Sequence, residues 1–412
     1  MSSTTPLEQS VQALTDATTE LLDAVNIRKA QLDLALTVVG EASGFDMNTY
    51  QAVLSARNEA VAARDQAVTV VYDGDASATP AGGKIPVADG NGKLDPGWVP
   101  NIIITDALRQ SVEAQTGGRQ TVIYSHNGVD PNIVTVIPRF RYEDLPFPAL
   151  GTGDLTAFDT GTGSIKPEIF IGSYLGANVS GRLRSWPGLD PRNVITWDNA
   201  KAACEAMGLG WHMMTMHEWA AVALWCAANG LQPRGNTNHG QAHNATHEAG
   251  RRGDGAAPGV SSGVGHTHTG SGPATWRHDG TLAGIADLVG NVWEWQWGMK
   301  LVDGRVFAAP HNNPGIPEGG WLDTGVDMPA RSGFTWVNEN TVGTELTDRL
   351  LITRPDDVEL TGSIWTNLDG ERFPNRGGGW YYGSGAGLGA LDLTLTRTIT
   401  RANRGVRPAF VA

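Results

Sequence analysis

The segment Asp287-Leu-Val-Gly-Asn-Val-Trp-Glu-Trp295 constrains this chain more than any other. Trp293, Trp295 and Trp297 alternate around a single acid, Glu294. A spacing of two puts the indoles on one side of a strand, so the segment reads as a strand with one face packed in a core. Glu294 then lies among large apolar groups, where a carboxylate is costly unless it is hydrogen-bonded or paired with a cation. Gly290 and Asn291, directly upstream, are turn formers.

The tryptophans are unevenly distributed. Of 14, 13 lie at or after Trp186, and the first 97 residues have none. The aromatic core is therefore C-terminal, and the N-terminal part needs another source of stability. Over residues 7–39, Leu7, Val11, Leu14, Leu21, Val25, Leu32, Ala35 and Val39 follow a 3-4 spacing that only Thr18 and Arg28 interrupt. Gly40 and Gly44 break this helix. A second runs from about Met47 to Val70, with Val53, Ala56, Ala60, Ala63, Ala67 and Val70 as its seam. Seams this narrow favour helix pairing, either between chains or in a hairpin within one chain. Such helices bury little apolar area alone, so oligomerisation is the economical solution.

Residues 73–100 are a turn-rich linker in which Asp89-Gly90 and Asn91-Gly92 are hairpin-type turns. The β-branched runs Asn101-Ile-Ile-Ile-Thr105, Gln120-Thr-Val-Ile-Tyr124 and Ile133-Val-Thr-Val-Ile-Pro-Arg-Phe-Arg141 read as strands. Further on, 197–207 reads as a helix stopped by Gly208. Thr215, with Glu218 three residues later, forms a capping box for a helix reaching Ala228. Residues 234–283 are rich in Gly, His, Thr and Asn and poor in apolar side chains, which predicts a surface insertion. The chain closes with Arg376-Gly-Gly-Gly-Trp380 and a strand-like tail.

Composition excludes several functions. The net charge is −13 and no basic run interleaves with aromatics, so nucleic-acid binding is not expected. No apolar run is long enough to span a membrane, and the N-terminus lacks a secretory pattern. Synthesis in the cytosol, or assembly there into something larger, follows as the expectation. Cys204 and Cys226, each in a helix-like apolar run, read as two buried thiols. There is no phosphate-binding glycine loop. His239, His243 and His247 would line one face of a helix and hold a metal, but Gly240 and Asn244 argue for a solvated loop. The role of the His-rich stretch 239–268 stays open.

From about residue 133 onward, the order of these pieces resembles the formylglycine-generating-enzyme-type, C-type-lectin-like fold. Within it, the pattern is similar to the variable proteins targeted by diversity-generating retroelements, many of them phage tail adhesins. The matching pieces are Pro167-Glu-Ile-Phe-Ile-Gly172, Pro187-Gly-Leu-Asp-Pro191, Gly210-Trp-His-Met-Met-Thr215, Pro233-Arg-Gly-Asn-Thr237, the stretch Gly284 to Trp295, and the Arg-Gly-Gly-Gly-Trp tail. Gly83 to Pro100 also resembles a short segment of phage tail-fibre proteins that joins a helical stalk to a distal domain. The fold class expected is α+β: a helical coiled-coil stalk with tail attachment at 1–72, a turn-rich linker and small β region at 73–132, and a C-type-lectin-like receptor-binding domain at 133–412.

The resemblance implies a ligand-facing variable segment at about 376–412. Its contact positions would be Tyr381, Tyr382, Gly385, Asp392, Thr394, Leu395, Thr398, Ile399 and Arg401. Each residue type is reachable from an asparagine codon by replacing adenines. Residues 381–412 contain no Lys, Glu, Gln, Met or Trp. Alternation from Leu391 to Thr400 predicts an apolar and a polar face; if the apolar one is internal, Leu395 and Ile399 leave the contact set. The resemblance also suggests a structural calcium, held by the carboxylates of Asp287 and Glu294 and the carbonyls of Gly290 and Val292. The competing solution for Glu294 is an arginine, Arg376 or Arg407. No cofactor is required for binding.

Function is implied in the same way: a homotrimeric phage or prophage tail-fibre adhesin in the virion. It would bind a host-cell receptor, protein or glycan, and attach to tail or baseplate proteins, without membrane insertion. The alternative is an oxidoreductase like the formylglycine-generating enzyme or a sulfoxide synthase. That chemistry needs C-terminal cysteines for copper, or an N-terminal histidine pattern for iron. The chain has no cysteine after Cys226 and no histidine in its first hundred residues, so a non-enzyme is expected.

Overall fold

The computed structural model describes residues 76–77, 85–86 and 100–411 apart from Asn127, with side chains from residue 107 onward. The seams at 7–39 and 47–70, and with them the expected stalk and trimer, lie outside the described residues. In the first unit, which ends at Ile103, β1 (Ala76–Ser77) and β2 (Ile85–Pro86) pair in parallel. Ile104–Ala412 forms the second unit, which is mixed α and β with mostly sheet and few helices.

Residues 101–105, expected as a strand, are helical: they lie in α1 (Pro100–Thr116). The isoleucine run is short, and the pattern after it has helical spacing. Leu108 and Val112, four apart, pack on a small cluster containing Val122, Ile133 and Tyr174. Burial of that face outweighs the strand preference of a few β-branched residues.

A five-stranded antiparallel sheet has the order β3 (Gln120–Ser125), β4 (Asp130–Pro138), β5 (Glu168–Gly172), β21 (Pro408–Phe410) and β8 (Trp211–Met213). Its third and fourth strands join the start of the unit to the end of the chain. Because β3 is bonded along its length to β4, the main unit begins upstream of the boundary expected at 133. The hairpin β6 (Gly176–Val179) and β7 (Arg182–Ser185) follows β5.

A six-stranded sheet carries the signature segment, in the order β15 (Arg331–Thr335), β16 (Ser363–Thr366), β19 (Gly387–Leu393), β18 (Asn375–Gly377), β11 (Trp293–Trp295) and β20 (Arg404–Val406). The β16–β19 and β11–β20 pairings are parallel; the others are antiparallel. Both β11 and β19 are inner strands, and every residue in each is buried. This corrects two expectations, a single packed face for the tryptophan strand and an exposed polar face for Asp392. A third sheet is the antiparallel set β14 (Leu322–Asp327), β13 (Arg305–Ala308), β12 (Met299–Val302) and β17 (Glu371–Arg372).

The helix α2 (Trp197–Glu205) starts on Thr196, whose hydroxyl accepts from the Asn199 N–H. The next helix, α3 (Met216–Ala228), has the Thr215–Glu218 capping box in both directions. It is apolar nearly all round, as a helix enclosed in a core must be. One core gathers on it, including Trp219, Trp336 and the leucines of β19; a second contains Trp197, Trp295, Trp297, Trp321 and Phe373. A short helix, α4 (Glu345–Arg349), lies between β15 and β16. No helix among the described residues is long and apolar enough to cross a membrane.

Candidate binding surface

The frame begins at the turn before β11. Gly290 has φ +75°, and a Cβ there would come within 2.2 Å of the Asn236 carbonyl oxygen, so only glycine fits. Asn291 is also left-handed, at φ +58°. Its amide accepts from the Thr267 N–H at 2.8 Å and donates to the Thr267 carbonyl at 3.1 Å. Its own carbonyl accepts from the Trp380 N–H at 2.9 Å. The Gly-Asn pair thus fastens the insertion and the Arg-Gly-Gly-Gly-Trp tail to one turn.

The insertion 234–283, expected to lie on the surface, also contributes buried side chains. Asn236, Arg252, Thr267, Thr269, Trp276 and Arg277 are buried. Arg252 donates to the carbonyls of Ala257 and Ser262 at 3.2 and 2.8 Å and to the Asp254 carboxylate, so one guanidinium organises the turns around it. The strands β9 (Gln241–Ala242) and β10 (Ala245–Ala249) form a small hairpin. His239, His243 and His247 fall in a turn, a turn and β10, not on one helix face.

Glu294 meets Arg407 in a two-pronged ion pair, Nε to Oε2 at 2.8 Å and Nη2 to Oε1 at 2.7 Å. Burial pushes the Glu294 carboxyl up and Arg407 pulls it back. Arg407 also donates to the carbonyls of Gly172 and Ala286. Asp287, fully enclosed and raised by burial, accepts from the Gly270 N–H at 2.7 Å. These residues do not fit the calcium site suggested for Asp287, Gly290, Val292 and Glu294. Both Glu294 oxygens are held by a guanidinium, whose charge would oppose a second cation at the same carboxylate. Arg376 is not the partner: it donates to the carbonyls of Leu350 and Leu351, and burial lowers its pKa to about 9.

On this frame sits a run of aromatic rings. The Tyr381 and Tyr382 rings stack at 4.9 Å. Tyr382 meets Trp293 edge-on at 5.1 Å and Trp365 at 5.4 Å. Trp380 packs edge-on against Tyr381 at 5.7 Å, and His266 against Trp380 at 5.8 Å. His239 lies parallel to Tyr381 at 6.3 Å. Tyr381 is 51% exposed, and its hydroxyl accepts from Asn403 Nδ2 at 2.9 Å. Burial and the neighbouring Tyr382 both raise the Tyr381 phenol. Gly385 is half-buried under Trp365, where a Cβ would lie 3.0 Å from the indole.

The nine expected contact positions divide by depth. Tyr381, Tyr382 and Gly385 share one turn at the aromatic surface, and Thr398 and Arg401 are exposed in the later loop. Asp392 is a correction: it is 4% exposed, pairs with Arg404, and accepts from the Thr394 N–H and hydroxyl. Arg404 in turn lies 5.0 Å over the Trp293 ring. Leu395 is also a correction, buried in the second core, with Ile399 packed against it. Thr394 is half-buried and directs its hydroxyl to Asp392. His239, His266, Trp365 and Asn403 belong to the surface but carry no local sequence signal of it, because contacts across distant segments bring them there.

Cys204 and Cys226 are free, buried thiols, and burial raises both. The oxidoreductase alternative draws no support from them, since a thiol held protonated is a poor nucleophile and metal ligand.

No family model and no curated protein matches the chain. Among solved structures, it is similar to variable proteins. Treponema denticola variable protein 1 is 12% identical over 71% of this chain and 98% of its own, with a TM-score of 0.34. The Major Tropism Determinant P3c and U1 variants are each 13% identical over 68% of this chain, with TM-scores of 0.28 and 0.27. The chain spans 63% of the length of those two proteins. Likeness below a TM-score of 0.5 fixes neither fold nor function.

Proposed function

We propose that this chain is a phage or prophage tail-fibre receptor-binding protein with a C-type-lectin-like domain, and that the face around Tyr381 and Tyr382 contacts the host-cell surface. The observation that carries this reading is the Tyr381–Tyr382 stack, an exposed phenol ring on a base of buried indoles. Tyrosine offers wide amphipathic contact at low entropic cost, and a rigid base lowers that cost further. The stack lies in the stretch whose composition suits adenine-directed rewriting of asparagine codons. Its partners are a host receptor, protein or glycan, and the phage tail or baseplate. Trimerisation through residues 1–72 adds avidity, so individually weak sites hold a virion.

Fluorescently labelled full-length chain on a panel of bacterial cells tests this. Replacing Tyr381 and Tyr382 with alanine lowers cell labelling by about tenfold or more if they are central contacts. Undiminished labelling by the folded variant contradicts the assignment.

A further inference from the structure

A groove of about 440 Å³ opens beside the aromatic surface, outside the rewritable segment. It is within the size range of a small-ligand site. Its polar lining is Asn178, Asp190, Arg192, Asn193, Asn199 and His266. The groove continues the binding face. His266 meets Trp380, which meets Tyr381, and the Val194 N–H donates to the Arg401 carbonyl at 3.1 Å.

Val194 gives this rim an unusual backbone. It is β-branched, 57% exposed, and has φ +52°, a conformation such residues rarely adopt. Local strain of this kind concentrates at ligand sites and persists only where the surroundings enforce it. Here the bond to Arg401 and the bridge between Asn193 and Gly405 hold the loop from both sides.

The chemistry of the lining selects a ligand class. Among the described residues, the side chains of Asn178, Arg192 and Asn199 make no hydrogen bond or ion pair. Among the described residues, the Asp190 carboxylate meets only His266 Nε2 at 3.2 Å and His268 Nδ1 at 3.6 Å, and its side chain is 63% exposed. A site for an anion needs donors, and a site for a cation needs acceptors. Here amides that do both stand with a guanidinium donor and a carboxylate acceptor. Hydroxyl groups also donate and accept, so a ring carrying several of them matches this set. Its C–H face would find the exposed Val194 at the rim.

We infer that this groove is a fixed subsite for a sugar residue of a host-surface glycan, working beside the rewritable tyrosines. The inference rests on the receptor-binding reading above and names the chemical class of that receptor. The test uses the labelled full-length chain on cells that it stains. Mild periodate, which cleaves vicinal diols, removes the labelling, whether or not protease also removes it. Asp190→Ala and Asn199→Ala, both at exposed positions, each lower labelling several-fold at unchanged Tm. Labelling that survives periodate but is lost to protease overturns the glycan assignment and leaves the adhesin reading standing. Full labelling by both folded variants overturns the groove assignment. Failure of the wild-type chain to stain any cell type overturns the adhesin reading, and this inference with it.

Discussion

Glu294 and Arg407 stand 113 positions apart and close on each other in a two-pronged pair inside the core. The pair joins the signature strand to the end of the chain, next to β21. Breaking a buried pair leaves an unmatched charge and costs about 3–5 kcal/mol. Arg407→Met is therefore expected to lower unfolding free energy by about that much in urea titrations. Arg407→Met with Glu294→Met together removes both charges and recovers much of the loss. Equal destabilisation by the single and double variants would contradict this.

The same pair bears on metal. A calcium at 100 times its Kd would stabilise the fold by about 2.7 kcal/mol, a shift of several degrees. Because Arg407 occupies Glu294, Tm is expected to stay the same with calcium or with a chelator. A rise of several degrees on adding calcium would restore the calcium reading.

Asp392 and Arg404 separate frame from contact. Asp392→Ala should destabilise the fold by about 3–5 kcal/mol, because it leaves Arg404 buried without its partner. Thr398→Ala and Arg401→Ala, at exposed positions, should stay within about 0.5 kcal/mol. Thermal or urea unfolding of the three variants checks the order. A neutral Asp392→Ala would place that carboxylate outside the core.

The buried His212–Glu218 pair predicts a pH dependence. Burial disfavours the His212 cation, but the Glu218 carboxylate at 2.7 Å outweighs it and raises the imidazole above 6.5. A histidine raised on folding adds stability that is fully present below its unfolded value and is lost as pH climbs through the folded one. The stability gap between wild type and His212→Gln should therefore be constant below pH 6.5 and narrow above it. A gap that widens with rising pH would reverse the sign.

Legibility in the sequence followed the range of the interactions. The α3 capping box was legible because Thr215 and Glu218 satisfy each other within one turn. The tryptophan strand was legible as a strand, but not that neighbours would cover both its faces. The helix at 101–105 is not legible locally because its outcome depends on what Leu108 and Val112 touch. Asp392 read as an exposed polar residue because alternation says which side a residue faces, not whether that side is solvent. The packing of the insertion is illegible for a similar reason: it rests on hydrogen bonds around Arg252 and Asn291 rather than on apolar periodicity. His239 and His266 were therefore invisible as members of the surface.

The central claim is that a rigid frame carries a contact surface whose identity can change without changing the frame. The most direct test exchanges Tyr381 and Tyr382 for asparagine, the residue from which the proposed rewriting would start, and compares the cell types stained and the Tm with wild type. The account predicts a Tm within a few degrees, since Tyr381 is exposed and Tyr382 is only half-buried, together with loss or change of the cells stained. An unaltered staining spectrum in a folded variant would contradict it.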